Sequence, residues 1–111
     1  MKLSDDQIAE SSVDIRKRVT KAREIQTKRF KDFDNVHYNA QMSTKQIRKY
    51  CKLDDASLQL LKTAMERLNL SARAYDRILK VARTIADLNS EQKITPTALA
   101  EALQYRPKEE D

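Results

Sequence analysis

Apolar residues recur at three- and four-residue intervals along several stretches of this chain, and that period marks helices. Ile15, Val19 and Ala22 form a narrow stripe that Gln26 continues. Ser11 or Ser12 can cap this segment, and Ser11 with Asp14 resembles a capping pair. The reading is a long helix from about Val13 to Lys31, on the outside of the domain because its stripe is thin. Thr44 to about Tyr50 reads as a short helix started by Ser43 or Thr44, with Ile47 facing inward. Leu58, Leu61, Met65 and Leu68 fall at i, i+3, i+7 and i+10, a one-sided core face for a helix that Asp54 caps. Tyr75, Ile78, Leu79, Ala82, Ile85 and Ala86 share one face of a helix from Ala72 to about Leu88. Leu99, Ala102 and Leu103 serve a last helix with Thr95 as cap and Pro96 at its first position. It should end near Tyr105, before Pro107.

The residues between these stretches agree with the assignment. Asn69 suits a left-handed residue just past a helix end, second only to glycine there. Leu70 can pack onto Tyr75, and Ile94 onto Leu99, as staples that set each entry angle. Asp32 to Met42 lacks periodicity; Phe33, Val36 and Tyr38 are its anchors to the core. Asn89 to Lys93 is a polar loop. Cys51, in the connector Cys51-Lys52-Leu53, reads as a small buried hydrophobe. Residues 1–10 are expected to be weakly ordered, with Ser4-Asp5-Asp6-Gln7 able to start a helical turn. Residues 107–111 are expected to form a disordered tail. The prediction is one all-α domain of four to five helices over residues 11–106. Its core comes from the helices containing Leu58 to Leu68 and Tyr75 to Ala86.

Composition narrows the chemistry. The 111 residues include no glycine, two prolines and one cysteine, with 35% charged and 40% hydrophobic residues. Such a balance favours helix. Without glycine there is no G-x-x-x-x-G-K loop and no dinucleotide fingerprint, since both need close backbone approach to phosphate. One histidine and one cysteine give no zinc site, and no metal site is expected. No serine triad or cysteine–histidine pair is visible, so the chain is not expected to be an enzyme by itself. No stretch nears the ~20 apolar residues of a membrane span. The first residues lack the apolar run of a signal peptide. A lone cysteine suits a reducing compartment, and a cytoplasmic location is expected.

Charge adds two candidate sites. The net charge is +5, and much of it is concentrated. Arg16, Lys17, Arg18, Lys21, Arg23, Lys28, Arg29 and Lys31 face Glu24 alone across residues 16–31. A charge run of this kind is most simply a solvated helix face. The functional alternative is an anion-facing surface for DNA or an acidic neighbour, with Arg16, Arg18, Arg23, Lys28 and Arg29 as contacts and Arg77 beside them. The second candidate is Arg73. With Ser71 as cap, it falls in the first turn of its helix, where a cation opposes the dipole by a few tenths of a kcal/mol. The rest of that helix obeys local preference, and an isolated violation is a place to look for function. An arginine fixed at a helix start can reach a nucleotide phosphate.

Several segments then resemble a known group. They are Asn39-Ala40-Gln41-Met42-Ser43, Tyr50-Cys51-Lys52-Leu53-Asp54 and, above all, the run from Leu70-Ser71-Ala72-Arg73-Ala74-Tyr75 to Ala82-Arg83-Thr84-Ile85-Ala86-Asp87-Leu88. Together with Ile94-Thr95-Pro96, Ala100-Glu101-Ala102-Leu103-Gln104-Tyr105-Arg106 and the opening helix, they resemble the C-terminal domain of magnesium-chelatase-like AAA+ ATPases, ComM/YifB branch. The resemblance covers about residues 11–106. It implies a helical lid whose sensor-2 arginine is Arg73. It also implies ATP, bound with Mg mainly by an AAA+ core outside this chain, and neighbouring subunits of a ring as partners. DNA would be the substrate that the whole protein remodels. Asn69 and Asn89-Ser90 stand where the group commonly has glycine. The reading from another class is a stand-alone basic helical module that binds nucleic acid; a third is a purely structural protein-interaction domain.

Overall fold

The structure, a computed structural model, describes residues 11–105. It contains α1 (Ser12–Arg29), a 3-10 turn (Asn39–Gln41), α2 (Thr44–Tyr50), α3 (Asp55–Leu68), α4 (Ala72–Leu88) and α5 (Pro96–Gln104). No strand occurs among the described residues, and the fold is all-α, as the sequence predicts. Residues 1–10 and the tail from 107 lie outside the described residues.

Each α-helix among the described residues starts on a side-chain cap. Ser11 Oγ accepts from the Asp14 amide, Ser43 Oγ from Gln46, Asp54 from Ser57, Ser71 Oγ from Ala74 and Thr95 Oγ1 from Ala98. Each such cap stabilises a helix start by about 1 kcal/mol. Ser43 is paired reciprocally, since Gln46 Oε1 accepts from its amide at 2.9 Å. The helix ends show how a glycine-free chain turns corners. Asn69 takes φ 53° and Ser90 φ 57°. At the first, the Leu70 amide reaches Met65 O at 3.0 Å and the Asn69 amide reaches Glu66 O at 3.3 Å. The same pattern recurs at the second, from Glu91 to Ala86 O at 2.8 Å and from Ser90 to Asp87 O at 3.0 Å. Both satisfy carbonyls that the helix ends would leave unpaired.

Helix α4 is the axis of the core. Its Ala74, Ile78, Leu79, Ala82, Ile85 and Ala86 are buried, and Tyr75 is packed against them. Leu61 of α3, Ile47 of α2 and Ala98, Leu99 and Ala102 of α5 join the same cluster. Met65 packs against it half-buried.

Three expectations need correction. Tyr38 does not anchor the segment before α2; it is 57% exposed. Its neighbour Asn39 enters the interior instead, and Phe30, Val36 and Met42 supply the apolar anchors. Leu68 is exposed, because the turn at Asn69 hands its place to Leu70, which packs on the core. In α1 only Ala22 and Gln26 are buried, while Ile15 and Val19 are exposed.

Cys51 is buried, as expected. Burial pushes its thiol up from its ordinary value of 9.0 to about 11, with Arg83 and Arg29 opposing. A raised thiol value favours the neutral form in the fold. The stability it contributes is therefore full below about pH 9 and is lost as pH rises towards 11. Cys51 should resist a disulfide thiol reagent at pH 8 and react fully only in denaturant; rapid labelling of the folded chain would refute this placement.

Candidate functional site

The site is built on α4. The turn through Asn69 and the cap on Ser71 fix where this helix begins, and Ala74, fully buried, holds its first turn against the core. Arg73 stands between cap and anchor and is exposed. Among the described residues no hydrogen bond or ion pair engages its guanidinium, and the first turn holds no acidic residue. Asp76, the carboxylate three residues on, accepts a 3.5 Å bond from Thr44 Oγ1. Arg77, one turn after Arg73, is also exposed and borders a groove of about 400 Å³ with Ala40, Lys80 and Thr84. Lys80 is tied across that groove, its Nζ donating to Ala40 O at 3.1 Å.

The same polar face ends very differently one helix length away. Asp87 is completely buried. Arg29 meets it end-on, Nη2 donating to Oδ1 and Nη1 to Oδ2, both at 2.8 Å. Asn39 Nδ2 donates to Asp87 Oδ2 at 2.8 Å and to Thr84 Oγ1 at 3.0 Å, while Asn39 Oδ1 accepts from Arg29 at 2.8 Å. Gln26 Oε1 accepts from the Asn39 amide at 2.9 Å. Arg83 lies on the other side of the carboxylate. Its Nε approaches Asp87 Oδ1 to 3.3 Å without hydrogen-bond geometry. Its terminal nitrogens donate to the carbonyls of Glu91 at 2.8 Å, Gln92 at 3.0 Å and Tyr50 at 3.4 Å. Burial pulls the Arg83 guanidinium below its ordinary value, and Asp87 opposes the shift. An arginine stays charged even so. One carboxylate thus clasps α1, the 3-10 turn, α4 and the loop after it.

This clasp corrects one expectation. Arg29 is not an outward anion contact; its charge is committed to Asp87 and only 11% of its side chain is exposed. Asp87 sits 14 residues after Arg73, about 21 Å along the helix, so Arg29 and Arg73 form no common site. Arg16, Arg18, Arg23 and Lys28 remain on the exposed surface of α1, with Arg16 Nε leaning on Ser12 O at 3.5 Å. Sequence reading missed the roles of Arg83, Asp87, Asn39 and Gln26. The one local signal was the i, i+4 spacing of Arg83 and Asp87 on a single helix. Among the described residues no cluster of three histidine, cysteine or acidic side chains is placed to hold a metal.

A rigid, capped helix start that offers a free arginine, locked at its far end by a buried ion pair, is the pattern carried by the Ser71–Leu88 segment. The family described as the C-terminal domain of magnesium chelatase subunit ChlI matches residues 9–106. The chain belongs to this family. Competence protein ComM of Haemophilus influenzae is 48% identical over 97 residues, which are 87% of this chain and 18% of that protein. The uncharacterized protein YifB of Escherichia coli is 42% identical over the same shares. An uncharacterized protein of Mycobacterium tuberculosis is 34% identical over 87% of this chain and 19% of its own length. This family member thus spans less than a fifth of the curated relatives it matches.

Proposed function

We propose that this domain is the nucleotide-sensing lid of a ring-forming AAA+ ATPase of the ComM/YifB type. Arg73 is the sensor-2 residue, presented to an ATP–Mg complex that the rest of the parent protein binds. The observation that carries this reading is the unengaged guanidinium of Arg73 at a fixed helix start. Phosphoryl transfer is catalysed largely by cations positioned around the transferred group. A guanidinium suits that task because its fork matches phosphate oxygens and its charge is permanent. The local cost of a cation in the first turn is offset when an anion arrives. The lid would couple hydrolysis to movement of the neighbouring subunits, and the ComM-type resemblance points to DNA as what the whole protein remodels. By itself the domain makes only a few of the nucleotide contacts. The decisive measurement is ATP turnover of full-length protein carrying Arg73→Ala.

The second reading is a basic module that holds nucleic acid through α1. Its support is the exposed row Arg16, Arg18, Arg23 and Lys28. A gel shift of this chain on linear and branched duplex DNA separates the two. The lid reading expects only weak, sequence-independent binding, with Kd about 10⁻⁴–10⁻⁶ M near physiological salt. A dedicated nucleic-acid module would bind tighter, and four phosphate contacts would give a log–log salt slope of about −3.6. Arg29→Ala should leave that slope unchanged, since the clasp withholds Arg29 from solvent.

A further inference from the structure

The N-terminal half of α1 has no partner in the described fold. Residues 11–21 are exposed without interruption. They include Val13 at 52%, Ile15 at 43% and Val19 at 36%. Ile15 and Val19 are not scattered. They lie at i and i+4 of a face that continues through Ala22 and Gln26, both buried. One continuous stripe therefore packs on the body at its C-terminal end and runs off the body at its N-terminal end. Isolated helices this short are marginal in water, and most helix stability in proteins comes from packing one face.

We propose that Ile15 and Val19 dock onto an apolar groove of the module that precedes this domain in its parent protein, with Arg16 and Arg23, on the flank of the stripe, meeting an acidic rim. Three observations favour that occupant. First, more than four fifths of each matched relative lies outside the region shared with this chain, and the family is named for its C-terminal position. Second, the stripe is apolar. A phosphate backbone is held by cations and hydrogen-bond donors, and gains nothing from Ile15 and Val19. Third, a second copy packed on this stripe brings Arg16, Arg18 and Arg23, which flank it, against like charges, which is repulsive. Two apolar side chains also cover far less than the ~1,200 Å² of a stable interface between separate chains. A covalently linked module needs less area, because linkage supplies a millimolar effective concentration. The proposal rests on the chain's family membership and not on the role of Arg73.

Amide hydrogen exchange of peptides spanning residues 12–21 tests it, measured in the 111-residue chain and in the full-length parent. The full-length protein should exchange at least about 100-fold more slowly there. The double substitution Ile15→Asp, Val19→Asp should return fast exchange in the full-length protein while leaving the melting temperature of the 111-residue chain within about 2 °C. Equal exchange of the unsubstituted segment in both contexts overturns the proposal, and this comparison needs no variant to fold. So does protection already present in the 111-residue chain, which would assign the stripe to its own residues or to a second copy. Protection of the full-length protein that appears only on adding duplex DNA overturns it equally.

Discussion

Full-length protein carrying Arg73→Ala is expected to hydrolyse ATP about 10²–10³-fold more slowly, the loss typical of one positioned donor to a developing anion. In the proposed role the loss should fall on kcat more than on KM, because a guanidinium contact with the γ-phosphate would strengthen as charge builds up in the transition state. Arg73→Lys should recover part of the rate, since it restores the charge without the two-pronged fork. The fold should not notice either change. Arg73 is exposed and unengaged, so the melting temperature of the 111-residue chain should stay within about 2 °C. It can even rise slightly, as removing a cation from the first turn relieves a few tenths of a kcal/mol. Unchanged turnover in the Arg73→Ala protein would remove the sensor reading. A collapse of both turnover and stability would instead assign Arg73 a structural role.

The contrast between Arg73 and Arg29 shows what sequence reading can and cannot reach. Helix starts were legible because their signals are local: Ser43, Ser71 and Thr95 each lie within three residues of the amide they cap. Arg73 was legible for the same reason, being placed by Ser71 alone. Arg29 was not. Its partner is 58 residues away, and eight basic residues in one segment look alike until one finds a carboxylate. Asp87 was hidden by periodicity itself. It lies on the polar face of α4, opposite Ile78, where a period of 3.6 predicts solvent. The C-terminal half of α4 is instead covered on two faces, by α5 on one and by Arg29 and Asn39 on the other. Tyr38 and Leu68 failed through geometry at chain reversals, where a one-residue shift exchanges inside for outside. The candidate site was thus readable at its free end and unreadable at its anchored end.

The anchored end carries the largest effect on stability. Asp87→Ala should destabilise the 111-residue chain by about 3–5 kcal/mol, the usual cost of breaking a buried ion pair from one side. The reason lies in what the substitution leaves behind. Arg29 and Arg83 approach the carboxylate from two sides, so its removal sets two guanidinium groups against each other in a space closed to water. Asn39 Nδ2 loses its 2.8 Å acceptor at the same time. With a urea dependence of about 1–3 kcal/mol per molar for a domain of this size, the unfolding midpoint should fall by roughly 2 M. Arg29→Ala should cost less, because Arg83 still neutralises Asp87. In a double-mutant cycle the Arg29 and Asp87 substitutions should be strongly non-additive, as residues that share a network are. A loss below about 1 kcal/mol for Asp87→Ala would mean that water enters the clasp. The clasp also bears on function. It joins the helix that opens the domain to the helix that carries Arg73, so the two should move as one body. In full-length protein, Asp87→Asn keeps the shape and removes the charge. It should therefore lower ATP turnover at temperatures where the domain is still folded, while Arg73→Ala lowers it at every temperature.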